Sequence, residues 1–199
     1  SSLVRLDSAR SLNGNLTIKT TSGSINIDSV NATNGDVSLI SANSTGNKAN
    51  TSGINIIATG TAPDGGLADV AVMAAQTANI GTVTADRNIV VTGTGSALVT
   101  GNVTAGTADA NALLNVTGGN VTLGSAANTA VSLSSTAAQT ITATTGNLIA
   151  FGNGVTLSSS VDGAPGNLNI VANAGNIDLK NGTLNAGTLA GVPTRTADV

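Results

Sequence analysis

One short pattern of positions recurs along the whole chain: a small residue, a polar residue, an aliphatic residue, any residue, and a second aliphatic residue. Gly14-Asn15-Leu16-Thr17-Ile18, Gly23-Ser24-Ile25-Asn26-Ile27 and Gly35-Asp36-Val37-Ser38-Leu39 open the series. Gly53-Ile54-Asn55-Ile56, Gly119-Asn120-Val121-Thr122-Leu123 and Ala130-Val131-Ser132-Leu133 continue it. Gly146-Asn147-Leu148-Ile149-Ala150, Gly166-Asn167-Leu168-Asn169-Ile170 and Gly175-Asn176-Ile177-Asp178-Leu179 carry it into the last third. Period-two alternation marks a strand with one buried face. Each unit therefore predicts a very short strand with two side chains inward, one outward between them, and the small residue making the corner.

The spacing predicts the topology. Strand starts fall about every dozen residues. Related starts recur at wider steps: Gly101 to Gly119, Gly146 to Gly166, Leu16 to Val37, Val37 to Ile54, and Val70 to Ile89. These steps of roughly 16–22 residues suit a repeat architecture. The expected fold is all-β: a single right-handed parallel β-helix (β-solenoid) of on the order of ten coils, each of roughly 16–22 residues. At ~4.8 Å per coil the rod would be roughly 45–50 Å long. Handedness rests on general chirality and on the resemblance given below, not on these residues. The rival is an antiparallel sandwich or barrel. Very short strands, the lack of long alternating runs and the missing aromatic anchors speak against it.

Residues 1–199 read as one domain, with corner loops near 42–51, 60–66, 105–111 and 161–165, where the rhythm breaks. Insertions at corners cost little closure entropy. The expected core holds Ile25, Ile27, Val37, Leu39, Ile54, Ile56, Val121, Leu123, Leu168, Ile170, Ile177 and Leu179. Phe151, the single aromatic residue, is expected there too. Residues 1–10 read as one strand and 190–199 as an irregular tail, with no evident cap at either end.

Composition narrows the function. The chain has 199 residues, 40% of them hydrophobic and 1% aromatic, so a thin aliphatic core fits better than a broad globular one. It has no His or Cys, hence no imidazole base, thiol nucleophile or disulfide. Only 9% of residues are charged, with a net charge of −3. Arg5, Arg10, Lys19, Lys48, Arg87, Lys180 and Arg195 are scattered, which predicts no nucleic-acid partner. No apolar run reaches the roughly 18 residues of a membrane span, so no membrane insertion is expected.

The Gly-Asn-aliphatic-Thr/Asn-aliphatic units, over about residues 12–190, resemble those of the secreted filamentous-haemagglutinin type of bacterial exoprotein. In that family long right-handed β-helices form the shafts of surface adhesins. The resemblance implies export to the cell surface or medium and a structural role in adhesion or a biofilm matrix. Its implied partners are the chain itself head-to-tail, adjoining coils of a longer chain, or a host or neighbouring cell surface.

Asn15, Asn102, Asn120, Asn147, Asn167 and Asn176 follow glycine and precede an aliphatic residue, which predicts ladders of stacked amides at the corners. Asn15, Asn31, Asn43, Asn50, Asn102, Asn115, Asn120 and Asn181 open Asn-x-Ser/Thr sequons, an unsurprising number in such a chain. Thr82-Val83-Thr84, Thr92-Gly93-Thr94 and the run Thr140 to Thr144 raise an ice-binding face as an alternative, but a flat lattice is expected to need constant coil length. Carbohydrate binding is a companion alternative, without aromatic platforms.

A polysaccharide-active enzyme comes third. Its best carboxylate pairs are Asp28 with Asp36 and Asp162 with Asp178, and neither recurs at coil spacing. Asp64-Gly65-Gly66 and Asp162-Gly163 read as turns. Gly93-Thr94-Gly95 lacks the third glycine and the lysine of a phosphate cradle. No catalytic, cofactor-binding or metal residue is assigned, and no cofactor is expected beyond an adventitious calcium at a loop.

Overall fold

The computed structural model of the chain describes residues 3–49, 52–125, 130–151, 154–161, 164–180 and 182–186. The sequon openers Asn50 and Asn181, together with Asp162, Gly163 and the 190–199 tail, lie outside them. The described residues form an all-β, parallel β-solenoid of about seven turns. Short strands wrap one narrow core, and those of the middle coils pair with the strand one turn before and one turn after.

The strands fall on three faces. The first stacks the opening halves of β1 (Val4–Ser11), β3 (Ile25–Thr33) and β8 (Thr77–Ala85) and the closing halves of β9 (Ile89–Val99) and β11 (Leu113–Leu123). It also holds β5 (Thr45–Gly46), β14 (Leu148–Ala150) and β18 (Ile177–Asp178). The second stacks the closing halves of β1, β3 and β8 with β6 (Ile54–Thr59), β10 (Val103–Ala105), β12 (Val131–Ser135), β15 (Val155–Val161) and β19 (Thr183–Ala186). The third stacks β2 (Leu16–Lys19), β4 (Val37–Ser41), β7 (Val70–Ala74), the opening halves of β9 and β11, β13 (Ala138–Ala143) and β17 (Asn167–Ala172). A two-residue strand, β16 (Ala164–Pro165), folds back antiparallel on the end of β15.

The coils are fewer and longer than the spacing predicted. Val4, Ile25, Thr45, Ala78, Ala97, Val121, Leu148 and Ile177 lie one above another, about 25 residues per turn. Single turns range from 19 residues (Val70 to Ile89) to 33 (Val37 to Val70). Leu16–Val37 and Val70–Ile89 are true neighbours. Val37 and Ile54, the strands after Gly101 and Gly119, and those after Gly146 and Gly166 stand on different faces. The physical reason is that the same unit opens strands on all three faces, so the distance between two copies is often only part of a turn.

Extra residues leave the ladder at corners, as in the stretches between β6 and β7 and between β10 and β11. Within the expected 42–51 loop, however, Thr45 and Gly46 form β5 and pair with Ile25 and Asn26.

Eight of the twelve expected core residues, from Ile25 to Leu123, are essentially fully buried, and Leu179 is buried as well. Leu168, Ile170 and Ile177 are partly covered, because they lie on the last described coils. Phe151 is exposed, contrary to expectation: alternation along β14 turns Leu148 and Ala150 inward and leaves Phe151 outside. Several polar side chains are buried along the aliphatic rows, among them Ser41, Thr45, Asn79 and Ser159. Gln139 stands inward between Leu114 and Leu168, fully buried, and neither its Nε2 nor its Oε1 has a hydrogen-bond partner. Ser135 Oγ, on the preceding strand, is likewise buried without a partner.

Candidate interaction surfaces

The predicted asparagine ladders exist, but their bonding differs from stacked amides. Each side-chain oxygen accepts a backbone N–H from the next coil. At the entrance to the third face, Asn15 Oδ1 accepts from Asp36 N, Asp36 Oδ1 from Asp69 N, Asp69 Oδ1 from Asn88 N, and Asn88 Oδ1 from Leu113 N, at 2.8–2.9 Å. At the entrance to the first face, Asn120 accepts from Asn147 N and Asn147 from Asn176 N, at 3.0 and 2.9 Å. On the second face Asn55 accepts from Thr82 N and Asn102 from Ser132 N. The six singled-out asparagines are thus spread over three faces, with Asn167 opening β17 on the third.

At Gly35 and Gly146 the coils approach too closely for a side chain, whereas Gly14 has open space around it and a φ of 134°. A Cβ on Gly146 would lie 2.2 Å from Asn120 Oδ1, and one on Gly35 would lie 2.1 Å from the Gly14 carbonyl oxygen. Neither Gly35 nor Gly146 has positive φ, so closeness and not a left-handed turn demands glycine there.

The aspartates hold the backbone together. Asp28 accepts from Lys48 N at 2.7 Å, Asp64 from Gly66 N at 2.9 Å and Asp109 from Asn111 N at 2.8 Å. Asp36 belongs to the ladder above, so the candidate pair Asp28 and Asp36 is spent on two separate backbone contacts. Asp178 bonds Lys180 N and its ammonium, 3.1 and 2.7 Å away. Lys48 also pairs with Asp7. Arg87 grips Asp69 with two bonds of 2.8 and 2.6 Å, the fork geometry that suits a carboxylate. Burial pushes the Asp69 carboxyl up, but the Arg87 guanidinium and the Asn88 N–H outweigh it and hold it below its ordinary range. Among the described residues no three carboxylates gather into a cluster able to hold a metal ion.

The outward rows differ between faces. On the third face Lys19, Ile40, Met73, Thr92, Thr117, Thr142 and Val171 follow one another, a mixed row. A shallow open hollow of about 270 Å³ lies there, beside Ile40, Met73 and Thr92. On the second face the row Thr84, Thr104, Ser134, Ser158 and Asn185 runs in register over five strands. Beside it runs Ser132, Thr156 and Thr183, and the same register carries that row back through Asn102 to Thr82. The Thr-x-Thr motifs flagged in the sequence sit on two different faces and do not make one row. The continuous row was missed because Ser132-Leu133-Ser134 and Thr156-Leu157-Ser158 are its equivalents without being Thr-x-Thr. Register is kept although the turns along this face span 20, 30, 24 and 27 residues, so constant coil length is unnecessary.

The first coil presents an edge. Among the described residues β1 pairs only with β3 and β2 only with β4. Val4, Leu16 and Ile18 are partly covered there, while Leu3, Leu6 and Leu12 are exposed. No family model, no curated protein and no solved structure matches the chain.

Proposed function

We propose that this chain is a non-catalytic shaft element of an extracellular bacterial fibre or adhesin, extended by adding coils to its ends. The open edge of the first coil carries this reading. Among the described residues its strands have no ladder partner on one side, above a patch of leucine and valine. Such an edge accepts another parallel strand through main-chain bonds. A contact of this kind that does not close on itself produces a filament. The resemblance to filamentous-haemagglutinin shafts and the lack of His and Cys support the same reading.

Negative-stain microscopy with light scattering on the purified chain tests it. Rods growing in length with concentration, and shortened by Leu6→Lys, are the expected result. A monodisperse folded monomer at high concentration overturns end-to-end assembly.

A further inference from the structure

The two outward rows of the second face form a polar, uncharged surface over five strands. Their ten positions carry eight hydroxyls and two carboxamides and no charge. Strand spacing sets ~4.8 Å between successive hydroxyls along the axis, and the pleat sets ~6.6 Å between the two rows. The patch is therefore a grid of about 19 Å by 7 Å. None of its four strand pairings contains a register shift, whereas the pairing of β6 with β8 just before it does. The grid begins where the ladder becomes regular.

We propose that this face binds ice. Hydroxyls fixed on a rigid sheet hold first-shell water at fixed positions, and each such water costs little extra ordering when the lattice it joins has a similar repeat. The two spacings are of the order of the repeats between equivalent oxygens on an ice face. Charged groups would impose their own radial hydration and disrupt that match, and none is present on the grid. The five threonines add methyl groups between the hydroxyls, so the water cage meets an apolar floor. A sugar chain fits less well, because the grid offers no aromatic ring to stack against. The third face puts Lys19, Ile40 and Met73 in the same row as its threonines, a mixture of charge and apolar bulk, and serves as the internal control.

The test is ice recrystallisation and crystal shaping by the purified 199-residue chain, beside Thr104→Lys on the grid and Thr117→Lys on the third face. Both substitutions are outward, and a thermal melt checks that each variant folds. The expected result is inhibition by the unaltered chain, a loss of at least tenfold in Thr104→Lys, and no change in Thr117→Lys. Ice growing unshaped beside the unaltered chain overturns the proposal. So does equal loss in both variants. Binding to cellulose or chitin powder that Thr104→Lys abolishes, with no effect on ice, assigns the grid to carbohydrate instead and also overturns it. Light scattering reads end-to-end assembly separately, so this proposal and the shaft reading fail independently.

Discussion

Two corners of the rod do the same work with different chemistry. At the entrance to the third face the ladder runs through two aspartates, and Arg87 clamps one of them. At the entrance to the first face Asn120 and Asn147 do it with neutral amides, at nearly the same distances. A carboxylate is therefore not required to tie one coil to the next. What it adds is a cation and a dependence on pH.

The largest expected effect separates the two corners by sterics. Gly35→Ala drives a Cβ into backbone, the Gly14 carbonyl group and the Asn15 nitrogen. Gly146→Ala meets the Asn120 side chain first, which can swing away and give up its bond. Gly35→Ala should cost about 2–3 kcal/mol, and Gly146→Ala about 1 kcal/mol. Urea unfolding of the two variants reads the difference, and equal losses would mean the corners yield in the same way.

Next comes the clamp. Arg87→Ala leaves Asp69 with its backbone donor but without its cation. A loss of about 1 kcal/mol is expected, modest because both side chains still reach solvent. Melting temperature checks it.

The smallest effect at neutral pH is the most discriminating. Asp69 has a lowered pKa in the folded chain, so its contribution is fully present above the unfolded value near ~3.9 and is lost as pH falls through the folded one. Unfolding free energy should therefore fall less steeply below about pH 4 in Asp69→Asn than in the unaltered chain. The converse change, Asn147→Asp, keeps an acceptor for Asn176 N and should make the first corner acid-sensitive. If its acid slope is unchanged, a carboxylate bonded only to a backbone N–H does not confer the pH response, and the cation beside Asp69 is needed for it.

Much of the fold was legible because alternation reports burial directly. Ile25, Ile27, Leu39 and Leu123 alternate with polar neighbours and are all inside. Turn length was not legible, because Asn15, Asn102 and Asn120 sit in near-identical contexts on three different faces. Local sequence marks where a strand starts but not which face it joins; only pairing decides that. Gln139 was invisible for a related reason. It occupies an inward phase in Ala138-Gln139-Thr140-Ile141, yet its own chemistry argues for the surface. The hydroxyl rows were half legible: their motifs were seen as threonine, while the register treats serine and threonine alike.

Gln139 also gives the rod a place to yield. In a stack where each level touches only its neighbours, resistance to tension is local and levels detach in order. Most levels are held by aliphatic rows that lose contact all at once. The level carrying Gln139 instead exposes an amide that water satisfies as soon as it enters, which lowers the force needed there. Stretched along its axis, the molecule would yield more readily at this seam than at the purely aliphatic levels beside it, and could close again there when the load is released.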